Sequence, residues 1–244
     1  MAETTRGAAL VTGGTRRIGR ALVQACARAG YDVAIHCRAV DDDAQAAAAD
    51  VRSLGRKAYL HPCDLRQEAA TAPMVGHAED ELGPVTLLVN CASVFEDDAI
   101  SSMNRASWDG HMETNLRAPL VLAQAFARRL PADRAGLIVN VLDQRVLAPG
   151  AEFFSYTLSK AALWSATQML AQALAPRIRV NGIGPGPTLA SIHQDGAAFA
   201  AEAAATPLGH PVDPAEIGQA LAYLIDARSV TGQMIAVDSG QHLT

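Results

Sequence analysis

The sequence predicts a single α/β domain, a doubly wound, seven-stranded parallel sheet with helices on both faces. Seven short runs rich in Val, Ile and Leu recur along the chain, with helix-like segments between them. Near-continuous apolar strands are typical of parallel sheets, because the connecting helices bury both faces. The runs occupy 8–12, 31–37, 57–65, 85–90, 137–141, 177–183 and 233–238. No linker or change of composition divides the chain, so we expect one domain over residues 1–244.

Helix-like segments separate these apolar runs. Periodicity and composition predict helices over 18–29, 42–54, 66–82, 108–130 and 153–175, and a sixth that begins near Asp213. The stretch 187–212, which lies before that last helix, is made mainly of Ala, Pro and small polar residues. An irregular stretch of this length in a compact domain is usually a lid or binding segment. We therefore expect it to shape the mouth of a substrate pocket.

Composition argues against several classes of protein. Half of the 244 residues are apolar and 18% are charged, which is ample material for a packed core. A net charge of −5 gives no electrostatic reason to expect nucleic acid or an anionic membrane as a partner. The sequence shows no signal-peptide pattern and no apolar segment of the roughly 18 residues that a spanning helix needs. The four cysteines and seven histidines lack metal-ligand spacing, so we expect a cytoplasmic protein with free thiols and no metal.

A glycine-rich turn joins the first strand to the first helix. It reads TGGTRRIG over residues 12–19, and such a turn brings backbone N–H groups and a helix N-terminus to a pyrophosphate. An NAD site would place an acid at the end of the second strand, but the chain has Arg38 there. Arg38 and Arg16 together could neutralise a 2′-phosphate, so we predict NADPH over NADH. The alternative is that both are solvated surface arginines.

Tyr156 and Lys160 are the first candidates for chemistry. They are four residues apart on a predicted helix and therefore share one face. A nearby ammonium favours the phenolate, so Lys160 is expected to lower the pKa of Tyr156 and make it a usable acid near neutral pH. This spacing often occurs by chance, and it indicates a catalytic pair only in combination with the glycine turn and the motifs that follow.

The combined motifs resemble the short-chain dehydrogenase/reductase family along essentially the whole chain. The matching marks are TGGTRRIG, CDL (63–65), NCAS (90–93), Asn115, YTLSK (156–160), NGIGPG (181–186) and VDSG (237–240). The resemblance implies a single-domain Rossmann fold, usually in a homotetramer packed through the helices 108–130 and 153–175. It also implies hydride transfer from a nicotinamide cofactor.

The resemblance also assigns roles to residues. Tyr156 would be the proton donor, Lys160 would bind the nicotinamide ribose, and Asn115 would hold a water in a proton relay. Asp64 would meet the adenine, and Asn90 and Ala92 would line the cofactor groove. The full set of expected cofactor contacts is Gly13, Thr15, Arg16, Arg17, Ile18, Gly19, Arg38, Asp64, Leu65, Asn90, Ala92, Tyr156, Lys160, Pro185, Gly186 and Thr188.

Several positions depart from the usual family pattern. The middle glycine of TGxxxGxG is Arg17, and the NNAG motif has Cys91 and Ser93 in place of its second Asn and its Gly. The catalytic Ser, normally thirteen residues before the Tyr, is Asp143. An ionised carboxylate there would repel the alkoxide that forms in carbonyl reduction. For reduction of a C=N bond it is an advantage, because a carboxylic acid can supply a proton to nitrogen and its anion can stabilise a protonated imine.

These departures resemble one branch of the family, the pteridine reductases, including bacterial dihydromonapterin reductase-like proteins. That branch combines TGxxxRxG, an Asp at the catalytic Ser position, and an aromatic residue that stacks on the pterin, here Phe95. The resemblance implies a substrate site of Arg17, Ser93, Phe95, Asp143 and Tyr156, and a dihydropterin or folate-like substrate reduced by NADPH. Two alternatives stay open: a carbonyl or 3-ketoacyl reductase, and a catalytically silent NADP-binding regulatory protein.

Overall fold

A seven-stranded parallel sheet forms the centre of the protein. The computed structural model describes residues 6–190 and 194–244. The strands are β1 (Ala8–Val11), β2 (Asp32–Cys37), β3 (Ala58–Pro62), β4 (Val85–Asn90), β5 (Gly136–Val141), β6 (Ile178–Pro185) and β7 (Met234–Val237). They are ordered β3-β2-β1-β4-β5-β6-β7, and every neighbouring pair is parallel. The predicted Rossmann-type sheet is confirmed.

Helices cover both faces of the sheet. They are α1 (Arg17–Arg28), α2 (Asp42–Ser53), α3 (Glu68–Thr71), α4 (Met74–Leu82), α5 (Arg105–His111), α6 (Ala118–Arg129), α7 (Phe154–Leu174), α8 (Gly196–Ala204) and α9 (Pro214–Asp226). Aspartates cap α2, α8 and α9, where Asp41, Asp195 and Asp213 accept hydrogen bonds from first-turn N–H groups. These caps satisfy donors that the helix itself leaves open.

Two apolar layers, one on each face, hold the helices to the sheet. On one face Leu22 of α1, Val51 of α2 and Leu221 of α9 pack against the sheet. On the other face Met74 of α4 and Phe126 of α6 are fully buried. Within one strand the side chains alternate between the layers, since Val11 joins the first and Leu10 the second. Burial of this apolar surface on both faces explains why the strands read as continuous apolar runs.

Three predicted segments differ from the structure. The helix predicted over 66–82 is broken into α3 and α4 at Pro73, which has no N–H for the helical ladder. The helix predicted over 108–130 runs from Arg105 to Arg129 and contains a π-helical turn, Met112–Arg117. The predicted irregular segment 187–212 contains α8. Its residues 191–193 lie outside the described part of the chain.

The topology places a crevice at the carboxyl ends of the strands. β1 has β2 on one side and β4 on the other, so the order in which strands join the sheet reverses at β1, and ligands of open α/β sheets bind at such a switch point. Within residues 6–190 and 194–244, no helix is long and apolar enough to cross a membrane. The four cysteines are free thiols; Cys26 and Cys37 are buried and Cys63 and Cys91 are half-buried.

Candidate active site

A cavity of about 900 Å³ runs along the carboxyl edge of the sheet. It brings together most of the predicted cofactor and substrate residues: Gly13, Thr15, Arg16, Arg17, Ile18, Gly19, Arg38, Asp64, Leu65, Ala92, Ser93, Phe95, Asp143, Tyr156, Lys160, Pro185, Gly186 and Thr188. A larger cavity of about 1250 Å³ lies between α1 and α9. It shares only Arg17 with the first and contains none of the candidate proton donors, so the smaller cavity is the candidate active site.

The glycine-rich turn forms the nucleotide end of this cavity. Gly13 has a left-handed backbone (φ +64°), and a Cβ there would lie 2.8 Å from the Cα of Ala92. A Cβ on Gly19 would lie 2.0 Å from the carbonyl oxygen of Gly13. Glycine is therefore required at both positions, because any side chain would clash with backbone. The first turn of α1 lines the cavity, which places a helix N-terminus where a diphosphate site requires one.

His36 holds the glycine-rich turn in place through hydrogen bonds. The N–H of Gly13 donates to His36 Nδ1 (3.1 Å), and the N–H of Gly14 donates to the His36 carbonyl oxygen (3.1 Å). The His36 Nε2 lies 3.1 Å from the Cys63 carbonyl oxygen. Since Nδ1 accepts, the proton is on Nε2, and burial lowers the pKa of His36 to about 4, so the ring is neutral. His36 thus ties together the ends of β1, β2 and β3, a role that no pattern in the sequence indicates.

Two arginines next to each other in the glycine turn have different partners. Arg17 has a positive φ of 51° and donates to the carbonyl oxygens of Leu189 (2.7 Å) and Ala190 (2.8 Å). It therefore holds the segment after β6 against the turn, at the expense of backbone strain. Arg16 forms ion pairs with Asp41 and Asp43.

Arg38 is the candidate partner for a phosphate at the nucleotide end of the cavity. It is exposed and has no ion pair within the described residues, whereas Arg16 is already neutralised by its two aspartates. That Arg16 and Arg38 together neutralise a 2′-phosphate stays a prediction. Asp64 is paired with Arg66 (2.7 Å), which lowers the pKa of Asp64 to about 2.

Asp143 and Tyr156 form a direct proton-sharing pair at the other end of the cavity. The Tyr156 hydroxyl donates to Asp143 Oδ2 at 2.7 Å, and the Arg145 N–H donates to Oδ1 at 2.9 Å. Asp143 directly follows β5 and caps the short 3-10 helix Gln144–Val146, which points its carboxyl group at the cavity. Burial raises the pKa of Asp143 above its usual range. Burial, and then the adjacent Asp143 carboxylate, raise the pKa of Tyr156 well above its usual value.

Lys160 does not have the predicted effect on Tyr156. Its ammonium donates to the Val141 carbonyl oxygen (2.8 Å) and lies 5.8 Å from the centre of the Tyr156 ring. The prediction that Lys160 lowers the Tyr156 pKa is wrong in this arrangement, because burial and Asp143 outweigh any cation; the cation that opposes them is Arg145. Lys160 itself is buried, which lowers its pKa, and Asp143 partly offsets that shift.

Asn115 and Asn90 lie behind the cavity wall. The Asn115 amide group donates to Val94 O (3.0 Å) and Ser159 Oγ (3.1 Å), and its oxygen accepts from Val94 N (2.8 Å). Because these bonds occupy the Asn115 side chain, a water at this position would have to hydrogen-bond to the main chain of the π-helical turn. Asn90 donates to Asn140 Oδ1 (2.8 Å), away from the cavity. The Asn90 side chain thus bonds to the neighbouring strand β5, and a role for Asn90 in lining the cofactor groove stays a prediction.

Aromatic rings form the wall beside the proton pair. Phe95 stacks on Phe153 with 4.3 Å between ring centres and 9° between planes, and it meets Tyr156 edge-on at 4.7 Å. The Arg145 guanidinium carbon lies 5.0 Å from the centre of the Phe153 ring. Phe153 has a left-handed backbone (φ 50°) at the start of α7. Sequence reasoning missed Phe153 and Arg145; the aromatic pair directly before YTLSK was the available signal for Phe153.

The segment around α8 completes the mouth of the cavity. Glu202 accepts one hydrogen bond from Gln194 (2.7 Å) and one from Gln241 (2.9 Å), and all three residues line the cavity with Phe199. These contacts join the predicted substrate segment to the C-terminal turn. None of the four residues was predicted individually, because their approach depends on how α8 packs.

Comparison with known proteins agrees with this geometry. The family model for short chain dehydrogenases matches residues 7–199. The crystal structure of FolM alternative dihydrofolate reductase 1 from Brucella canis, complexed with NADP, is 45% identical with a TM-score of 0.94, covering 98% of this chain and 95% of that one. The Brucella suis protein of the same name, also with NADP, is 46% identical with the same TM-score, covering 98% of this chain and 96% of that one. The 3-oxoacyl-[acyl-carrier-protein] reductase FabG of Aggregatibacter actinomycetemcomitans is 32% identical, covering 95% of this chain and 97% of the relative.

Proposed function

Because the chain belongs to the short-chain dehydrogenase/reductase family, we propose that it is an NADPH-dependent reductase of a C=N bond in a dihydropterin or related folate. The observation that carries the proposal is the hydrogen bond between Tyr156 and Asp143 at the catalytic centre. A carboxyl group at this position suits protonation of nitrogen and opposes formation of an alkoxide. The likeness to two proteins named as dihydrofolate reductases supports the same substrate class.

The residues at the nucleotide end fit a dinucleotide with a 2′-phosphate. The glycine turn leaves no room for side chains at Gly13 and Gly19, and the N-terminus of α1 beside it suits a diphosphate. Arg38, which forms no ion pair among the described residues, would hold the 2′-phosphate, and Lys160, which lines the cavity, would bind a ribose hydroxyl. A bound nicotinamide cofactor would supply the hydride. The NADP complexes of both FolM proteins support the choice of NADPH.

The proposed mechanism assigns proton transfer to Asp143 and Tyr156. Because burial raises the pKa of both groups, a proton is retained between Asp143 Oδ2 and the Tyr156 hydroxyl at higher pH than on an ordinary carboxyl group. This proton passes to the ring nitrogen of the C=N bond as the adjacent carbon accepts hydride. Arg145 holds the second carboxyl oxygen through its N–H, which orients the acid towards the cavity.

Three further residues are proposed to bind the pterin ring. Phe95 has one face against Phe153, so a flat heterocycle would stack on the opposite face. Ser93 lines the cavity, with its hydroxyl donating to Asn115 Oδ1 (3.2 Å), and Arg17 lines the same cavity. Arg17 reaches a ligand only where its bonds to Leu189 and Ala190 leave guanidinium N–H groups open.

The main alternative is a carbonyl or 3-oxoacyl reductase. The likeness to FabG at 32% identity favours it, and Tyr156 and Lys160 are common to both readings. Asp143 is the discriminating residue, because its carboxylate would repel a developing alkoxide. A catalytically silent NADP-binding regulatory protein is the lesser alternative, and the assembled proton pair argues against it.

A direct comparison of substrates tests the proposal. NADPH oxidation is measured with a 7,8-dihydropterin and with a simple β-ketoester at equal enzyme concentration. We expect turnover of the dihydropterin with kcat/KM at least about 100-fold above that for the ketone. Turnover of the ketone alone would reject the proposal in favour of the carbonyl reductase. Thermal stabilisation by NADPH without turnover of either would favour the silent protein.

We also propose a homotetramer in the cytoplasm. Exposed apolar side chains on α7, Leu158 and Met169, offer a face that needs cover, which supports packing through this helix. A light-scattering mass equal to one chain would contradict the tetramer. The cytoplasmic assignment follows from the sequence prediction and is tested by fractionating the cells that express the protein.

A further inference from the structure

A cation lies beside the candidate catalytic centre without an acceptor of its own. The Arg145 guanidinium rests on the face of Phe153, and the opposite face of that ring is covered by Phe95. Neither contact uses the guanidinium N–H groups. No described residue accepts a hydrogen bond from this side chain or lies within ion-pair distance of it, although it is half-buried at the cavity wall and its charge acts on Asp143 and Tyr156 by opposing the rise in the pKa of both. Five N–H donors of a guanidinium are therefore available to a ligand.

The other charged groups at this end of the cavity are already engaged. Asp143 is bonded to Tyr156, and the Lys160 ammonium is bonded to the Val141 carbonyl oxygen. Both oxygens of Glu202 accept amide donors from Gln194 and Gln241. Arg17 donates to Leu189 and Ala190. Arg145 is therefore the charged group of the substrate end whose side chain makes no hydrogen bond, among the residues that the structure describes.

Phe153 holds this cation at a defined place. The ring is fixed by its stack on Phe95 and by its position at the first turn of α7, where the backbone is held in the left-handed region. A guanidinium placed on such a ring loses little side-chain freedom when it binds a planar anion. One aromatic ring, Phe153, separates the guanidinium from Phe95, where the pterin is proposed to stack.

We propose that Arg145 binds a carboxylate on the side chain of the substrate, so that the enzyme favours dihydropterins with an acidic tail over those with a neutral one. The inference rests on the proposed pteridine reduction and names its substrate class more narrowly. Because Phe153 lies between, the carboxylate must be on an arm that extends past the Phe95–Phe153 stack. A substituent directly on the bicyclic ring is too short.

The experiment compares two substrates in three enzymes. The substrates are 7,8-dihydrofolate, whose tail carries two carboxylates, and 7,8-dihydrobiopterin, whose side chain is neutral. The enzymes are the wild type, Arg145→Gln, and Arg128→Gln, a matched control at an exposed arginine near the end of α6. We expect Arg145→Gln to lower the ratio of kcat/KM (dihydrofolate over dihydrobiopterin) at least tenfold, about 1.4 kcal/mol. The ratio for Arg128→Gln should stay at the wild-type value.

The ratio separates binding of the tail from effects on the chemistry. Arg145 also opposes the raised pKa of Tyr156, so its loss changes proton transfer to both substrates alike and cancels in the ratio. Arg145→Lys keeps the positive charge but not the planar, bidentate guanidinium, and it should recover only part of the preference for dihydrofolate. An equal loss for both substrates would overturn the inference and leave the proposed function intact. Absence of turnover with either substrate in the wild type would overturn the proposed function itself.

A binding measurement gives a second readout. The Kd of dihydrofolate for the enzyme–NADP⁺ complex is measured by calorimetry at low and high salt. We expect Arg145→Gln to weaken binding about tenfold at low salt and less at high salt, because salt screens the ion pair. A Kd that does not differ between the wild type and Arg145→Gln would also reject the carboxylate contact.

Discussion

Replacing Asp143 tests directly whether this residue is the proton donor. Asp143→Asn keeps the shape of the side chain and an acceptor for the Arg145 N–H, but an amide cannot release a proton near neutral pH. The carboxyl oxygen lies 2.7 Å from the Tyr156 hydroxyl, within the range for direct proton transfer. A positioned general acid contributes roughly 10²–10⁴-fold in rate. We therefore expect kcat/KM for a dihydropterin to fall by that factor, about 3–5 kcal/mol of transition-state stabilisation.

Single-turnover kinetics at saturating NADPH measure this loss without interference from product release. NADPH affinity and the circular dichroism spectrum establish that each variant is folded and binds cofactor. Asp226→Asn is the matched control, because Asp226 is exposed and pairs with Arg6 outside the candidate active site. The control should stay within about twofold of the wild type. An Asp143→Asn rate within about threefold of the wild type would remove Asp143 from the mechanism.

The pH profile gives the same variant a second test. Burial raises the pKa of Asp143, so the reactive protonated form persists to higher pH than for an ordinary carboxyl group. The logarithm of kcat/KM in the wild type should fall as pH rises through that pKa. Asp143→Asn should lose this limb. A limb of unchanged position in the variant would assign the titration to another group.

Three further predictions concern stability and cofactor binding. Because the pKa of Asp143 is raised in the folded state, its contribution to stability is fully present below the unfolded pKa, about 4, and is lost as pH rises through the folded pKa. Thermal unfolding should therefore show Asp143→Asn gaining stability relative to the wild type over that pH range. A stability difference that stays constant with pH would contradict this. His36→Phe removes the acceptor of the Gly13 N–H, which costs roughly 1–3 kcal/mol, and calorimetry should show NADPH affinity lowered by about tenfold or more; unchanged affinity would show that His36 does not shape the turn. Arg38→Ala should lower the ratio of kcat/KM for NADPH over NADH by about tenfold or more, and a retained ratio would place the 2′-phosphate elsewhere.

Local sequence patterns were sufficient for the fold and for the identity of the central groups. The strands were predictable because burial on both faces leaves apolar runs, and the glycine turn because backbone contact excludes side chains at Gly13 and Gly19. The break at Pro73 was not predicted, although proline lacks the N–H that a helix needs and so was an available signal for it. The π-helical turn was not predictable, because an extra residue in one turn leaves no periodic mark.

What the sequence could not supply was the set of tertiary neighbours. The spacing of Tyr156 and Lys160 places them on one helix face, but it says nothing of burial or of Asp143, which together raise the Tyr156 pKa. His36 acquires its role only when β1, β2 and β3 lie side by side. Arg145 likewise depends on the position of Phe153, which no repeating pattern in the sequence marks and which packs against Phe95.

The central claim is that the chain reduces a C=N bond of a pterin, and isotope transfer tests it most directly. NADPH deuterated at the reactive carbon of the nicotinamide is incubated with the enzyme and a 7,8-dihydropterin, and the product is analysed by mass spectrometry and NMR. The account predicts one deuterium on the ring carbon next to the reduced nitrogen, with transfer strongly depressed in Asp143→Asn. Deuterium transfer to a β-ketoester but not to the pterin would contradict it.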